Sequence, residues 1–140
     1  AVYEPGEVKV VAYNKDGKAV AEKTVRTAGK PHHIELVSNR NELTADGKDL
    51  AYVTVKVVDK DGNLCPTDSR LIHFSVKGAG KFRAVANGDP TNLEQFHLPK
   101  MHAFHGMLTA IVQAGEIAGD LVLTAKASGV KTGTVHLQAK

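Results

Sequence analysis

The 140-residue sequence lacks tryptophan, has a single cysteine and contains no long apolar run. Its cysteine, Cys65, has no partner for a disulfide within the chain, so we expect no covalent cross-link to stabilise the fold. Because Cys65 precedes Pro66 in a predicted turn, we expect a partly exposed thiol. No apolar run approaches the roughly 18 residues that a membrane-spanning helix needs. We therefore predict no membrane span.

The chain also lacks a concentrated charge of one sign. Lysine and arginine number 18 against 15 aspartates and glutamates, which gives a formal net charge of +3, and the basic residues are scattered. Nucleic-acid-binding domains usually carry a basic stripe or patch, so we predict that nucleic acid is not a partner. No basic segment followed by an apolar stretch opens the sequence, so no signal peptide is predicted. The absence of an initiator methionine suggests a piece of a longer protein.

The residues that are present alternate between apolar and polar with a period of two. In the run LAYVTVKVVD, one predicted face carries alanine and valine and the other carries Tyr52, Thr54 and Lys56. Such alternation is typical of a strand with one face on a core and one face in water. No segment shows a helical apolar stripe, and Asp–Gly pairs separate several of the runs as turn signals. The sequence therefore predicts an all-β fold.

Strand spacing predicts the architecture. Short strands recur every 8–12 residues or so, which favours an antiparallel sandwich or barrel. From Pro31 onward about 110 residues carry about seven strands, a size that suits an immunoglobulin-like antiparallel β-sandwich. Gly29 and Pro31 interrupt the pattern before it. We therefore divide the chain into a β-hairpin at residues 1–30, the tail of a preceding β module, and a sandwich at residues 31–140.

Several motifs resemble a known family. The stretch YEPGEVKVVAYNKDGKAVAEKTVRTAGKP resembles the closing hairpin of a module in bacterial glycoside hydrolase family 2 enzymes of the β-galactosidase type. The stretches IELVSNRNELTADGKDLAYVTVKVVDKDGNLCP and IHFSVKGAGKFRAVANGDPTNLEQF resemble the immunoglobulin-like domain at the C-terminal end of those enzymes. Its most specific part is ANGDPT with Glu94 and Phe96 following.

The resemblance implies a non-catalytic accessory domain that packs against or positions the catalytic part of its parent. It implies a parent that hydrolyses β-galactosides or related β-linked sugars with two glutamates in a TIM-barrel domain, none of which is in this chain. The partners would be the other domains of the parent, located in the periplasm or outside the cell. The alternatives are a carbohydrate-binding module and a bacterial immunoglobulin-like spacer of the adhesin type.

One long polar loop, VANGDPTNLEQFHLPKMHAFHGM from Val85 to Met107, interrupts the strand pattern. Connections longer than about 12–15 residues are usually functional or disordered. This loop mixes ionisable groups with apolar side chains, a composition that favours a contact surface. Our candidates for domain contact or sugar contact are Asn87, Asp89, Glu94, Phe96, His97 and Phe104.

Catalysis by this loop is the first hypothesis to weigh. Glycosidases need two carboxylates roughly 5–9.5 Å apart across a sugar, and Asp89 and Glu94 are the only near neighbours of that type in the loop. Both lie on one connection with no second polar or aromatic wall. Asp89 also precedes Pro90, where an aspartate typically caps a turn through local backbone N–H groups. We therefore assign no catalytic residue and predict that the chain is not an enzyme by itself.

A metal site is the second hypothesis. His97, His102 and His105 have the spacing H-x₄-H-x₂-H, and imidazoles commonly bind zinc. On a strand, the separation of three residues would place His102 and His105 on opposite faces, and no cysteine or paired carboxylate completes a ligand set. His32 and His33 are adjacent and are expected to face opposite ways too. We predict no metal and no cofactor.

Sugar binding and domain docking remain. Sugar-binding modules usually stack a ring on exposed aromatic faces, and here only Phe96 and Phe104 in the polar loop are plausible platforms, since Phe74 falls on an apolar face and is predicted to be core. The loop also carries Leu98 and Met101, more apolar residues than a solvated linker needs. We favour a docking surface for the rest of the parent enzyme and keep sugar binding as the alternative.

Overall fold

Strands are the regular elements of the described residues. The computed structural model describes residue 2 and residues 4–140 and contains no helix among them. No part of the described chain therefore offers a helix able to cross a membrane. The strands are β1 (Glu7–Tyr13), β2 (Ala19–Arg26), β3 (His33–Ser38), β4 (Glu42–Leu43), β5 (Leu50–Val58), β6 (Leu71–Gly78), β7 (Gly80–Ala86), β8 (Lys100–His102), β9 (Met107–Ala114), β10 (Gly119–Lys126) and β11 (Gly133–Ala139). The all-β prediction is confirmed.

Strands β1 and β2 form a separate two-stranded antiparallel sheet. Gly17 lies in the connecting turn with φ 76°, a backbone conformation that costs glycine little. One face of this hairpin carries charged pairs, Arg26 with Glu7 at 2.7 Å and Lys9 with Glu22 at 2.8 Å. The other face is mostly apolar: Val8 lies opposite Val25 and Ala12 lies opposite Ala21.

The remaining nine strands form two antiparallel-rich sheets that face each other. The four-stranded sheet has the order β3-β5-β9-β7 and the five-stranded sheet the order β4-β11-β10-β6-β8, in which only β4 runs parallel to its neighbour β11. Seven of these strands have six or more residues, which is the predicted number. The additional strands β4 and β8 have two and three residues, too short for alternation to be visible in the sequence.

The core lies between the two sheets and follows from the alternation. Val53, Val55 and Val57 of β5 are fully buried, and Leu121 and Leu123 of β10 face them from the opposite sheet with no exposed area. Their neighbours in sequence are exposed or half-buried, apart from Val58 at the end of β5, which is 1% exposed. The predicted inward and outward faces of β5, β6 and β10 are therefore confirmed, including the burial of Phe74 at 6% exposure.

A buried carboxylate fixes the segment between the hairpin and the sandwich. Asp59 is 3% exposed, and its Oδ2 accepts the Gly29 N–H at 2.8 Å while its Oδ1 accepts the Asp61 and Asn63 N–H groups at 2.9 Å. The Asn63 side-chain amide adds a further bond at 3.1 Å. The Gly29 N–H, followed by the other donors, holds the pKa of Asp59 well below its ordinary value, because each bond stabilises the ionised carboxylate. The turn after β5 thereby holds the connecting segment in one conformation.

Candidate functional site

The loop between β7 and β9 closes one side of the sandwich by bonding to both sheets. The Val85 N–H, on β7 of the four-stranded sheet, donates to the Phe96 carbonyl at 2.8 Å. The Phe74 N–H, on β6 of the five-stranded sheet, donates to the Pro99 carbonyl at 2.8 Å. Within the loop, β8 pairs with β6 through Ile72 and Met101. The long connection is therefore an ordered part of the fold.

Two asparagines organise the first half of the loop. Asn87 donates its side-chain amide to the His102 carbonyl at 2.9 Å, and its Oδ1 accepts the Asp89 N–H at 3.2 Å and the Asn92 amide at 3.3 Å. The Asn92 Oδ1 in turn accepts the Glu94 N–H at 3.0 Å. Asparagine side chains commonly replace backbone partners in turns in this way. The side-chain amides of Asn87 and Asn92 thus connect separate parts of the loop to one another.

The two carboxylates of the loop are also bound within it. Asp89 Oδ1 accepts the Thr91 hydroxyl at 2.7 Å and the Thr91 N–H at 2.8 Å, which is the capping role predicted for Asp89. The Thr91 hydroxyl and N–H lower the pKa of Asp89. Glu94 Oε2 accepts the His102 N–H at 3.1 Å, and its Oε1 lies 3.0 Å from His102 Nδ1. A glycosidase acid requires a raised pKa, so Asp89 is unsuited to that role.

The three histidines of the loop have different surroundings. His102 ends β8 beside Glu94, whereas His105 lies in the following turn with φ 51° and its Nδ1 3.2 Å from the Pro66 carbonyl. His97 is exposed. Among the described residues, no three histidine, cysteine or acidic side chains are grouped so as to hold a metal ion.

Apolar side chains cover the outer surface of the loop. Leu93 is 96% exposed, Phe96 is 55% exposed and Leu98 is 37% exposed. Phe104 is less exposed than these residues. It is half-buried in the turn beside His105, and the centroids of the two rings are 4.2 Å apart. Of the two predicted aromatic platforms, Phe96 is therefore the exposed one.

A shallow depression of about 470 Å³ brings four of the six candidate residues together, whereas Phe96 and His97 do not line it. It is lined by Asn87, Asp89, Asn92, Glu94, His102 and Phe104, among others. Sequence reasoning did not single out Leu93 or Ser69, which also line it. Leu93 could have been identified in the sequence as an apolar residue within a polar run. Ser69 gave no signal, since the fold brings it to the loop from another connection.

Two sequence expectations outside the loop are wrong. Cys65 was expected to be partly exposed, but it is 4% exposed and belongs to the core. The segment before β3 covers it, with the Gly29 carbonyl 3.8 Å from Sγ. His32 and His33 were expected to face opposite ways, but their Nδ1 atoms lie 2.9 Å apart. His32 precedes the first residue of β3, so strand alternation does not apply to it.

Comparison with known proteins gives consistent matches. A family model described as glycoside hydrolase family 2 C-terminal domain 5 matches residues 34–136. Beta-galactosidase BoGH2A of Bacteroides ovatus is 44% identical over 138 residues, which are 99% of this chain and 16% of that protein. A beta-galactosidase of Thermoanaerobacter pseudethanolicus is 34% identical over 111 residues, 79% of this chain and 13% of that protein.

A solved structure extends the likeness to the hairpin. A glycosyl hydrolase family 2 member from Bacteroides cellulosilyticus superposes with a TM-score of 0.90 at 31% identity, covering 100% of this chain and 18% of that one. The chain therefore spans less than a fifth of the length of each of these relatives.

Proposed function

Because the chain belongs to the glycoside hydrolase family 2 C-terminal domain 5 family, we propose that it is a non-catalytic accessory domain of a β-galactosidase-type enzyme. In this role it packs against the rest of the parent and positions the catalytic part. The match to a beta-galactosidase over 99% of the chain but 16% of that protein supports a parent several times longer. The parent activity and its β-galactoside substrate are part of the proposal.

The docking role rests on one observation: the polar side chains of the loop bond within the loop, whereas its apolar side chains face solvent. The polar groups of Asn87, Asp89 and Glu94 bond other parts of the loop, while Leu93 and Phe96 face solvent. Contiguous exposed apolar groups usually mark contact sites, and aromatic residues are enriched at protein interfaces. We therefore assign Leu93, Phe96 and Leu98 as the docking surface for the rest of the parent enzyme.

The hairpin provides a second contact. It lies outside the matched range 34–136, and Val8, Val10 and Val25 on its apolar face are 68%, 65% and 62% exposed. Two strands alone are marginally stable in water. We propose that residues 1–30 complete a preceding β module of the parent, with residues 31–140 forming the sandwich.

The docking surface is tested by truncating its side chains in two contexts. In the parent enzyme, Leu93→Ala with Phe96→Ala should lower the free energy of unfolding, or weaken domain association, by about 1–3 kcal/mol. Buried interface aromatics commonly contribute that much. In the isolated chain the same pair should change stability by less than about 0.5 kcal/mol, because both side chains are exposed there. Thermal unfolding of both proteins measures the two effects.

Ile117→Ala is the matched control, because Ile117 is 79% exposed in the turn between β9 and β10. It should leave the melting temperature of the parent unchanged. Equal melting temperatures for the Leu93/Phe96 variant and the unmodified parent would refute the docking role.

The non-catalytic role has a direct assay. The isolated chain should show no turnover of chromogenic β-galactosides above background, since Asp89 has a lowered pKa and Glu94 is bonded to His102. Turnover well above background that disappears in Glu94→Gln would overturn this assignment.

Sugar binding by the loop is the second candidate, favoured by the 55% exposure of Phe96. Titration calorimetry of the isolated chain with galactosides and plant polysaccharides distinguishes the two functions. Binding heat that vanishes in Phe96→Ala and persists in Phe104→Ala would assign the loop to sugar instead of docking. The periplasmic or extracellular location stays a prediction, which fractionation of cells expressing the whole parent would test.

A further inference from the structure

The outer surface of the five-stranded sheet brings together lysine and histidine side chains that are far apart in sequence. Lys126 of β10 lies opposite His73 of β6, and His73 lies opposite Lys100 of β8. Neighbouring strands are about 4.8 Å apart, so these three side chains form one continuous row. All three are exposed.

A second row runs parallel to the first. Lys77 of β6 and His136 of β11 both lie opposite Val122 of β10. Between the two rows, Thr124 lies opposite Ser75 and Thr134, which places hydroxyl groups among the lysine and histidine side chains. We call the outward-facing residues of these rows the basic face: His73, Ser75, Lys77, Lys100, Val122, Thr124, Lys126, Thr134 and His136.

The lysines of the basic face are not neutralised by the described part of the chain. Lys77, Lys100 and Lys126 form no ion pair there, whereas other lysines such as Lys9 do. Among the carboxylates near this sheet, Asp120 is the second residue of β10, on the same side of the strand as Val122, and forms no ion pair with these lysines, while Glu42 is paired with Lys140 and Glu94 with His102. Lys77, Lys100 and Lys126 together create a positive potential on this face, which attracts anions.

The composition of the basic face indicates the class of anion. Protein interfaces are depleted of lysine and serine and enriched in aromatic residues, and the basic face has no aromatic residue apart from the imidazoles. Single-stranded nucleic acids also require aromatic stacking platforms. A polymer that carries both carboxylates and hydroxyls matches the ammonium groups of Lys77, Lys100 and Lys126 and the hydroxyls between them.

We propose that the basic face binds acidic polysaccharide, with uronate carboxylates on the lysine ammonium groups and sugar hydroxyls on Ser75, Thr124 and Thr134. The choice of a sugar polymer rests on the proposed function, since the parent is assigned to carbohydrate hydrolysis. The face is distinct from the loop depression, and its occupancy would bring the parent enzyme to an acidic polysaccharide matrix.

The test uses the 140-residue chain with polygalacturonate as the probe. Affinity electrophoresis or titration calorimetry should detect binding at about 0.05 M salt that weakens strongly at about 0.3 M, because salt screens exposed charges. Lys77→Ala with Lys100→Ala and Lys126→Ala should weaken binding about tenfold or more, since each exposed ion pair contributes about a two- to fivefold factor. The matched control replaces Lys15, Lys48 and Lys60, which are exposed lysines outside the face, and it should weaken binding less than about threefold.

Each other outcome overturns the inference. Equal losses in the two triple variants would show a response to net charge alone. If the chain bound neutral galactan as tightly as polygalacturonate, the uronate carboxylates would have no role. Tighter lysine-dependent binding to duplex DNA or to phosphatidylserine vesicles would assign the face to another anion. Absence of polygalacturonate binding by the unmodified chain would refute this inference alone, because docking is measured in the parent enzyme.

Discussion

Gly133, at the start of β11, lies close to β3 of the opposite sheet, and adding one methyl group there tests the packing. A Cβ at this position would lie 2.3 Å from the Ile34 carbonyl oxygen and 2.3 Å from Leu36 Cδ1, both on β3 of the opposite sheet. The backbone has little freedom to open the gap. The Ile34 N–H donates to the Lys131 carbonyl at 3.1 Å, and the Lys131 N–H donates to the His32 carbonyl at 2.9 Å.

Gly133→Ala should therefore destabilise the sandwich. Overpacking of a filled interior costs about 1–3 kcal/mol, and a clash with backbone belongs in the upper part of that range. Replacing glycine by alanine also lowers the conformational entropy of the unfolded chain, which stabilises the folded state by about 0.4–1 kcal/mol. The expected net loss is about 1–2.5 kcal/mol, which corresponds to a fall in melting temperature of about 4–10 °C for a chain of this size.

Thermal and urea unfolding followed by circular dichroism would measure this loss. Gly88→Ala is the control, since a Cβ there would meet only Phe104 Cδ1 at an ordinary 3.7 Å, and it should change stability little. A double-mutant cycle with Leu36→Ala should show a smaller cost of Gly133→Ala, because one of the two clashing groups has been removed. A Gly133→Ala variant as stable as the Gly88→Ala variant would refute the argument that β3 and β11 are fixed at this distance.

Two further predictions concern the segment between the hairpin and the sandwich. The lowered pKa of Asp59 means that its contribution to stability is fully present above its unfolded pKa of about 4 and is lost progressively as the pH falls below that value towards the lower folded-state pKa. Asp59→Asn should therefore lower the melting temperature at neutral pH and flatten its decline in acid, whereas Asp61→Asn, at an exposed turn position, should keep the steep decline. Burial raises the pKa of the Cys65 thiol, so Ellman's reagent should label the native chain at least about tenfold more slowly than the urea-unfolded chain. Equal labelling rates would contradict the covered position of Cys65.

Alternation made the sandwich predictable, and its limits explain what was missed. Ile72 and Phe74 face the core and His73 faces solvent as the sequence indicates, because a strand between two packed layers must segregate its side chains by polarity. Strands β4 and β8 are too short to show that pattern. Cys65 follows a turn and was expected to be accessible, but burial there is decided by the Gly29 segment, which arrives from 36 residues away.

The loop was identified from composition, while its chemistry required coordinates. Asp89 before Pro90 predicted a capped turn, because local backbone groups are always within reach of an aspartate. The bond between Glu94 and His102 was not predictable, since it depends on β8 returning alongside the first half of the loop. The same return leaves Leu93 and Phe96 on the outside.

By itself, the sequence determined the two-layer β architecture, the inward and outward faces of its long strands and the turns at Asp–Gly pairs. These are local properties, because side-chain period and turn geometry depend on neighbours a few residues apart. Only the tertiary structure decided which distant groups meet. Strand pairing places Lys126, His73 and Lys100 in one row, although no basic cluster exists along the chain, because register depends on the whole sheet.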